Sequence, residues 1–239
     1  MCANYTPVTR LDRILGFFGV SRGPDELPFE FGEEAWPTGL APFIRRRPGA
    51  NVKAAANEEQ HVEDEGLPEI AGGHFGLLPH FAKELKYGRH TYNARSETVH
   101  ELNSFRKPWE RGQRCVVPAE AIFEPCYETG KAVRWRIQQP GDVPMGIGGI
   151  WYEHPWMKDK GGKPVLSFAM LTVNAAGHPV FQRMHAPNDE KRMVLILDPA
   201  EYDRWLFCST AEAATFFKQW MGPLDAFPAP LPPRTKKAA

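Results

Sequence analysis

Cys2 stands directly behind the initiator methionine, a position that gives it chemistry no internal cysteine has. Met1 is normally removed when the next side chain is small, and its removal leaves a free α-amine and a thiol on adjacent carbons. The α-amine titrates near ~7.7–8.0 and the thiol near ~8.5, so both are partly deprotonated at neutral pH. Position alone favours an incidental cysteine at a frayed terminus, so other residues must decide whether Cys2 is a nucleophile.

Glu124 and His185 are the titratable residues that could assist such a nucleophile. Glu124 ends the apolar run "RCVVPAEAIFE". A carboxylate at the edge of apolar surroundings has a raised pKa that suits a general acid/base, although an edge glutamate pointing to solvent is the commoner case. His185, in "QRMHAPN", precedes the last core strand. A lone histidine is more often a hydrogen-bonded structural residue than a catalyst.

A local basic segment runs from residue 86 to residue 114, with seven Lys or Arg residues against three Asp or Glu residues. It contains "TYNARSET", which holds Asn93, Arg95 and Glu97 between turn signals. Aromatic residues interleave with the charges, namely Tyr87, Tyr92, Phe105 and Trp109. Basic and aromatic residues together can follow a phosphate backbone and stack on unpaired bases, whereas a charge run alone is usually a solvated face.

The composition of the 239-residue chain excludes several classes of protein. The net charge is zero, which gives no global argument for nucleic-acid binding. The four cysteines show no CxxC spacing, so we expect neither a zinc site nor a disulfide framework, and a cytoplasmic location fits. Charges at positions 10, 12 and 13 argue against a signal peptide, and no stretch approaches ~18 apolar residues. We therefore expect no metal, cofactor or membrane partner.

The pattern of elements favours an α+β fold with a strongly bent or barrel-like, mainly antiparallel β-sheet and peripheral helices. Strand-like runs accumulate between residues 114 and 197 without long helices between them. The predicted helices are one from Thr9 to Phe18, a short one from Ser96, and two that begin with capping boxes at Asp198 and Ser209. We expect one domain over residues 1–222 and an extended, proline-rich basic tail over residues 223–239.

Several motifs, taken in order, resemble the SOS response-associated peptidase (SRAP) family. They are Cys2 behind Met1, "FGLLPHF", "NARSET", "RCVVPAEAIFE", and "RMH" ahead of the strand "RMVLIL". The resemblance covers most of the chain, from Cys2 to about residue 197. The combination of an N-terminal cysteine with Asn-Ala-Arg-x-Glu-Thr is its specific part.

SRAP proteins are known for covalent capture of abasic sites in single-stranded DNA. The resemblance implies a DNA-damage response protein that forms a thiazolidine adduct through Cys2, with peptidase or self-processing activity and AP-lyase activity. It needs no cofactor, and we expect a cytoplasmic monomer that joins the nucleoid when bound to DNA. The implied roles are these: Cys2 as nucleophile, Asn93 orienting it, Glu124 as acid/base, His185 in ring opening and adduct reversal, Arg95 and Arg106 as phosphate contacts, and Phe75 and Phe81 as wedges against bases.

Three features depart from the family pattern. Asn4 stands where the family has an arginine, and Pro125 stands where it has a tryptophan. The segment "APNDEK" separates His185 from Arg192, although the family's histidine lies close to its Arg-Met pair. The placement of His185 beside the other candidate residues is therefore a question for the structure.

Two other functions stay open at this point. An N-terminal-nucleophile amidohydrolase also uses a cysteine freed by loss of Met1, but it hydrolyses an amide and needs an oxyanion hole. It has no need of the basic and aromatic segment around Asn93. A single-stranded nucleic-acid-binding module would use that segment and leave Cys2 without a chemical role.

Overall fold

A closed five-stranded β-barrel forms the centre of the protein, as shown by a computed structural model that describes residues 2–20, 30–46 and 67–232. Over these residues, eleven strands join one sheet. The strands are β1 (Asn4–Pro7), β2 (Leu40–Arg46), β3 (Pro68–Phe75), β4 (Asn93–Arg95), β5 (Arg114–Cys126), β6 (Val133–Gln138), β7 (Met145–Lys158), β8 (Pro164–Asn174), β9 (Arg192–Val194), β10 (Ile196–Leu197) and β11 (Asp225–Pro228). The α-helices are α1 (Leu11–Phe18), α2 (Arg106–Glu110), α3 (Tyr202–Phe207) and α4 (Thr210–Ala213).

The barrel closes in the order β5–β7–β8–β3–β2 and back to β5. All of these pairings are antiparallel except β3 with β8. Close approach of β7 to its neighbour β8 needs glycine, because a Cβ at Gly149 would lie 2.6 Å from the carbonyl oxygen of Ala169. The predicted α+β class with a barrel-like, mainly antiparallel sheet is confirmed.

The remaining strands extend the barrel at its edges. β1 and β6 pair with β5, and β11 pairs with β6, while β4 and β9 pair with β8 and β10 pairs with β7. β11 lies within the segment predicted to be a tail, so the paired fold continues beyond residue 222. The part of the predicted tail from residue 233 onward lies outside the described residues.

The helix predictions had mixed outcomes. α1 is confirmed, and it ends at Gly19, whose φ of 65° is the left-handed conformation typical of a helix C-cap. Both predicted N-caps are confirmed, because Asp198 accepts a hydrogen bond from the amide of Ala200 and Ser209 accepts one from the amide of Glu212.

The helix predicted from Ser96 is wrong. Residues 96–105 form turns, and the helix begins only at Arg106. The amide of Ser96 donates to the carbonyl oxygen of Thr172 at 2.9 Å, which continues the pairing of β4 with β8. This sheet contact satisfies a backbone group that a helix N-terminus would leave free.

Candidate active site

The N-terminal strand β1 carries Cys2 to the end of β5 that holds Glu124. β1 pairs with β5 so that Asn4 lies opposite Phe123, which brings the residues before Asn4 alongside the Glu124 end of β5. Cys2 has no exposed surface, and its Sγ donates to the carbonyl oxygen of Asn4 at 3.3 Å. Burial, and after it the negative charge of Glu124, raises the pKa of the Cys2 thiol well above its ordinary range. The thiol is therefore held in its protonated form.

Glu124 and His185 form a buried pair beside Cys2. Their side chains are 1% and 7% exposed, and the Nε2 atom of His185 lies 3.0 Å from the Oε2 atom of Glu124. Glu124 is fixed on β5 opposite Trp135 of β6. A carboxylate and an imidazole in hydrogen-bond contact can pass a proton between them and to a reacting group nearby.

The chain around His185 docks onto the same end of β5. The amide of His185 donates to the carbonyl oxygen of Pro125 at 2.7 Å, and Met184 forms an isolated bridge with Cys126. The segment "APNDEK" that follows His185 therefore does not carry the imidazole away from Glu124. His185 has a φ of 65°, a left-handed conformation that is uncommon for a residue with a side chain.

Asn93 reaches the site from a different strand. It begins β4, which pairs in parallel with β8, and its Nδ2 donates to the carbonyl oxygen of Cys2 at 2.9 Å. Its Oδ1 is buried and has no hydrogen-bond partner within the residues that the structure describes. The side chain thus orients the backbone of Cys2 and keeps one acceptor available to a bound molecule.

An ion pair behind Asn93 holds its strand in place. The carboxylate of Glu97 accepts two hydrogen bonds from the guanidinium of Arg192, at 2.8 and 3.2 Å. Arg192 is 2% exposed and also donates to the carbonyl oxygen of Thr172 at 2.8 Å. Glu97, which the sequence placed in the same motif as Asn93, therefore supports the site instead of entering it.

Tyr92 belongs to this centre, although sequence reasoning assigned it only to the aromatic pattern. Burial raises the pKa of its phenol, and the charge of Glu124 raises it further. Its ring packs edge-on against Phe75, with the ring centroids 5.8 Å apart. The signal that could have identified Tyr92 was its position next to Asn93.

The four residues expected to contact DNA occupy different environments. Arg95 is half-exposed and forms an ion pair of 2.7 Å with Glu190. Arg106 is exposed at the start of α2, and Phe81 is 38% exposed. Phe75 has no exposed surface and stacks in the core against Phe168, with the ring centroids 5.6 Å apart. Because this ring is held between the core rings of Tyr5, Tyr92 and Phe168, we correct the expectation that Phe75 is a wedge.

Burial also removes several residues of the basic and aromatic segment from the surface that DNA could contact. Phe105 and Trp109 are each 5% exposed and belong to the core. Arg114 is 3% exposed, and its guanidinium donates to the carbonyl oxygens of Trp205 and Cys208. Phe105, Trp109 and Arg114 thus stabilise the fold, whereas Arg95 and Arg106, which are expected to meet phosphate, are exposed.

The described residues contain neither a metal-binding cluster of side chains nor a membrane-spanning helix. Among the described residues, no group of three or more His, Cys, Asp or Glu side chains is arranged to hold a metal ion. No helix in that part of the chain is long and apolar enough to cross a membrane.

Comparison with known proteins finds relatives along almost the whole chain. The abasic site processing protein YoqW of Bacillus subtilis is 29% identical over 207 residues, which cover 86% of this chain and 80% of YoqW. The abasic site processing protein HMCES of Pongo abelii is 26% identical over 215 residues, which cover 77% of this chain and 58% of HMCES.

Solved structures share the fold. A crystal structure of a protein from Bordetella bronchiseptica superimposes with a TM-score of 0.75 at 30% identity, covering 96% of this chain and all of the other. A second, from Bacteroides thetaiotaomicron, has a TM-score of 0.71 at 20% identity and covers 95% of this chain and 91% of the other. Residues 1–228 match the description "SOS response associated peptidase (SRAP)", and the chain belongs to this family.

Proposed function

We propose that this protein captures abasic sites in single-stranded DNA by forming a covalent adduct with Cys2. The observation that carries the proposal is the contact of four residues distant in sequence. The buried Glu124–His185 pair lies beside Cys2, and Asn93 holds the carbonyl oxygen of Cys2. Relatives of this chain are named abasic site processing proteins, which supports the same substrate.

The chemistry requires the α-amine and the thiol of Cys2 to act in turn. After loss of Met1, the amine adds to the aldehyde of the ring-opened abasic deoxyribose, and loss of one water gives an imine. The thiol then adds to the imine carbon and closes a five-membered thiazolidine. The thiol loses its proton as the sulfur adds to the imine carbon, and the imine nitrogen gains a proton. Glu124 and His185 can accept the first proton and supply the second.

The raised pKa of the Cys2 thiol supports this order of steps. Burial and the charge of Glu124 both disfavour the thiolate, so the amine is the first nucleophile and the thiol reacts only when Glu124 can take its proton. A cysteine amidohydrolase would need a lowered thiol pKa and an oxyanion hole, whereas relatives of this chain are named abasic site processing proteins. The relatives therefore favour adduct formation over the amidohydrolase alternative.

The DNA strand would approach over the exposed residues near β4. Arg95 and Arg106 would contact phosphates, and the partly exposed ring of Phe81 would contact a base. These contacts carry no base-specific hydrogen bonds, so we expect binding to single strands of any sequence. A monomer suffices, and a DNA substrate places the protein in the cytoplasm, at the nucleoid when bound.

Peptidase and lyase activities follow from the same groups. The peptidase activity that gives the family its name would include the processing that frees the amine of Cys2. The imine that precedes ring closure acidifies the adjacent sugar carbon, and the Glu124–His185 pair could remove that proton and lead to strand cleavage by β-elimination. Both activities would depend on residues that also form the adduct.

Intact-mass measurement of the protein mixed with an abasic single-stranded oligonucleotide tests the proposal. We expect a species with the mass of the protein without Met1 plus the oligonucleotide minus one water, and Cys2→Ala should abolish it while leaving non-covalent binding to intact DNA. Cys115→Ala, which changes another fully buried cysteine, is the matched control and should keep the adduct. An adduct that retains Met1, or one that survives Cys2→Ala, would refute the thiazolidine mechanism.

A further inference from the structure

The turn that carries His185 has a conformation that needs external support. His185 is 6% exposed and adopts a φ of 65°, which carries an energetic cost for any residue with a Cβ. The same turn places the imidazole against Glu124 and the amide against Pro125. A change of the backbone to an ordinary, negative φ would rotate the imidazole away from the carboxylate.

Lys191 supplies a cation at the centre of this turn. Its Nζ donates to the carbonyl oxygens of Met184, His185 and Ala186, at 2.9, 3.2 and 2.8 Å. A lysine ammonium has three N–H donors, and three successive carbonyl groups use all of them. Without the cation, three carbonyl dipoles pointing at one position would repel one another, and the turn would open.

The backbone of Lys191 is fixed by the sheet and not by the turn it supports. Its carbonyl oxygen accepts a hydrogen bond of 2.7 Å from the amide of Ala175, at the end of β8. The next residue, Arg192, pairs with Asn174 where β9 begins. The ammonium is thus delivered from a rigid element, so its position can define the position of the turn.

We propose that Lys191 is a positioning residue that holds His185 in its left-handed conformation and thereby against Glu124. Lys191 is the last residue of the "APNDEK" segment, so the segment that lengthens the connection to Arg192 also brings the cation that fixes it. The inference rests on the proposed function, because it assigns Lys191 a part in the proton transfers at Cys2. Lys191 itself touches no reacting atom.

A double-mutant comparison tests this role. The adduct is formed, methoxyamine is added to trap released aldehyde, and the rate of adduct reversal is followed on denaturing gels. Lys191→Met should slow reversal by about 10-fold to 10²-fold, since a displaced catalytic group loses rate of this order. In a His185→Ala background, Lys191→Met should change the rate by less than about twofold. Lys191→Arg, which keeps a cation at this position, should recover part of the lost rate.

Lys218→Met is the matched control, because it removes a lysine whose ammonium contacts Glu201 on the surface. The adduct of Lys218→Met should reverse at the parent rate. If Lys191→Met slows reversal equally with and without His185, Lys191 acts on stability alone and the inference is wrong. An unchanged reversal rate in Lys191→Met overturns it as well.

Amide hydrogen exchange separates this inference from the proposed function, because it needs no DNA. In Lys191→Met the amide of His185 should exchange at least about tenfold faster, while the amide of Leu195, bonded to Leu171 in the sheet, should not change. If the parent forms no adduct, the proposed function fails, and the exchange rate of His185 still decides whether Lys191 holds the turn. Should Lys191→Met not fold, Lys191→Gln, which also removes the cation, undergoes the same measurement, and exchange of the His185 amide at the parent rate refutes the inference.

Discussion

Glu120 and Glu124 lie four residues apart on β5 and have different partners. Glu120 accepts two hydrogen bonds from the guanidinium of Arg13, at 2.7 and 2.8 Å, and its side chain is 21% exposed. Glu124 is 1% exposed and lies 3.0 Å from the imidazole of His185. Arginine keeps its proton at every pH a protein meets, whereas histidine gains and loses one near neutral pH. The first pair is a fixed ion pair, and the second can transfer a proton.

The geometry of β5 separates the two glutamates. In its pairing with β1, Thr6 lies opposite Ala121 and Pro7 lies opposite Ala119, so Glu120 is left out of the register. Such a bulge re-aims a side chain, and here it turns Glu120 to Arg13 on α1. Beyond the bulge, the pairing of β5 with β6 keeps Glu124 opposite Trp135. The role of a strand glutamate therefore follows from its register and its partner more than from its residue type.

Exchanging each carboxylate for an amide is the strongest test of this comparison. Glu124→Gln should lower the rate of crosslinking to abasic DNA by ~10²–10⁴, the range for a positioned acid/base, with little change in affinity for intact DNA. Glu120→Gln should crosslink at the parent rate but lower the free energy of unfolding by about 1 kcal/mol, since it weakens a partly exposed ion pair. Single-turnover crosslinking on denaturing gels, anisotropy and urea denaturation measure these quantities.

Two outcomes would break the comparison. Crosslinking of Glu124→Gln at the parent rate would make Glu124 an ordinary buried glutamate. A loss of crosslinking in Glu120→Gln as large as in Glu124→Gln would show that both act through the fold.

The pH dependence of Cys2 alkylation also tests the comparison of Glu120 with Glu124, and its expected effect is smaller. Because burial and the charge of Glu124 raise the pKa of Cys2, the rate of its reaction with iodoacetamide should still be rising above pH ~10, where an ordinary cysteine with a pKa near ~8.5 has levelled off. Glu124→Gln removes the second cause, so the profile should move to lower pH. Glu120→Gln should leave it unchanged. Mass spectrometry of the Cys2 peptide gives the rate at each pH.

Cys115 is the internal control for this measurement. Burial raises the pKa of its thiol, and the charge of Arg45 partly opposes that shift, with no contribution from Glu124. Its profile should therefore be the same in the parent and in Glu124→Gln. If the Cys2 profile also stays in place, the carboxylate does not act on the thiol.

The strands could be predicted from the sequence, but closure of the barrel could not. The run "RCVVPAEAIFEPC" predicted β5 because β-branched and apolar residues fill it. In the structure β5 pairs with four strands: residues 114–119 pair with β7 and residues 122–126 with β6, and β1 and β2 also pair with it. A hairpin pattern indicates only the neighbour in sequence, so the pairing with β7 that closes the barrel has no local signal.

The candidate site was predicted mainly from the family resemblance. Apolar spacing alone could not distinguish a partly exposed ring, such as Phe81, from a core ring such as Phe75, because both lie in "FGLLPHF". The contacts by which Lys191 supports the turn of His185 also could not be predicted from the sequence. Three carbonyl groups converge on one ammonium only after the turn has formed, and no residue pattern encodes that geometry.

The smallest expected effect concerns a third carboxylate, Glu190, which forms ion pairs with the half-exposed Arg95 and with the buried Arg192. Their ion pair of 2.7 Å occupies the guanidinium that we propose for phosphate, so a DNA strand must compete with Glu190. Glu190→Gln should raise the affinity for intact single-stranded DNA by up to about fivefold, in keeping with the small free energy of an exposed pair. Arg95→Ala should lower affinity and reduce the magnitude of the salt slope by about one.

Asp189→Asn is the matched control, because it removes the same charge from the neighbouring position, and Asp189 forms no ion pair with Arg95 in the described part of the chain. Anisotropy over a series of salt concentrations measures all three variants. Equal gains in Asp189→Asn and Glu190→Gln would mean that net charge alone sets the affinity. A gain confined to Glu190→Gln that disappears in an Arg95→Ala background would show that the carboxylate competes with phosphate for one guanidinium. This would make Glu190–Arg95 an exchangeable pair, intermediate between the fixed pair at Glu120 and the proton-transferring pair at Glu124.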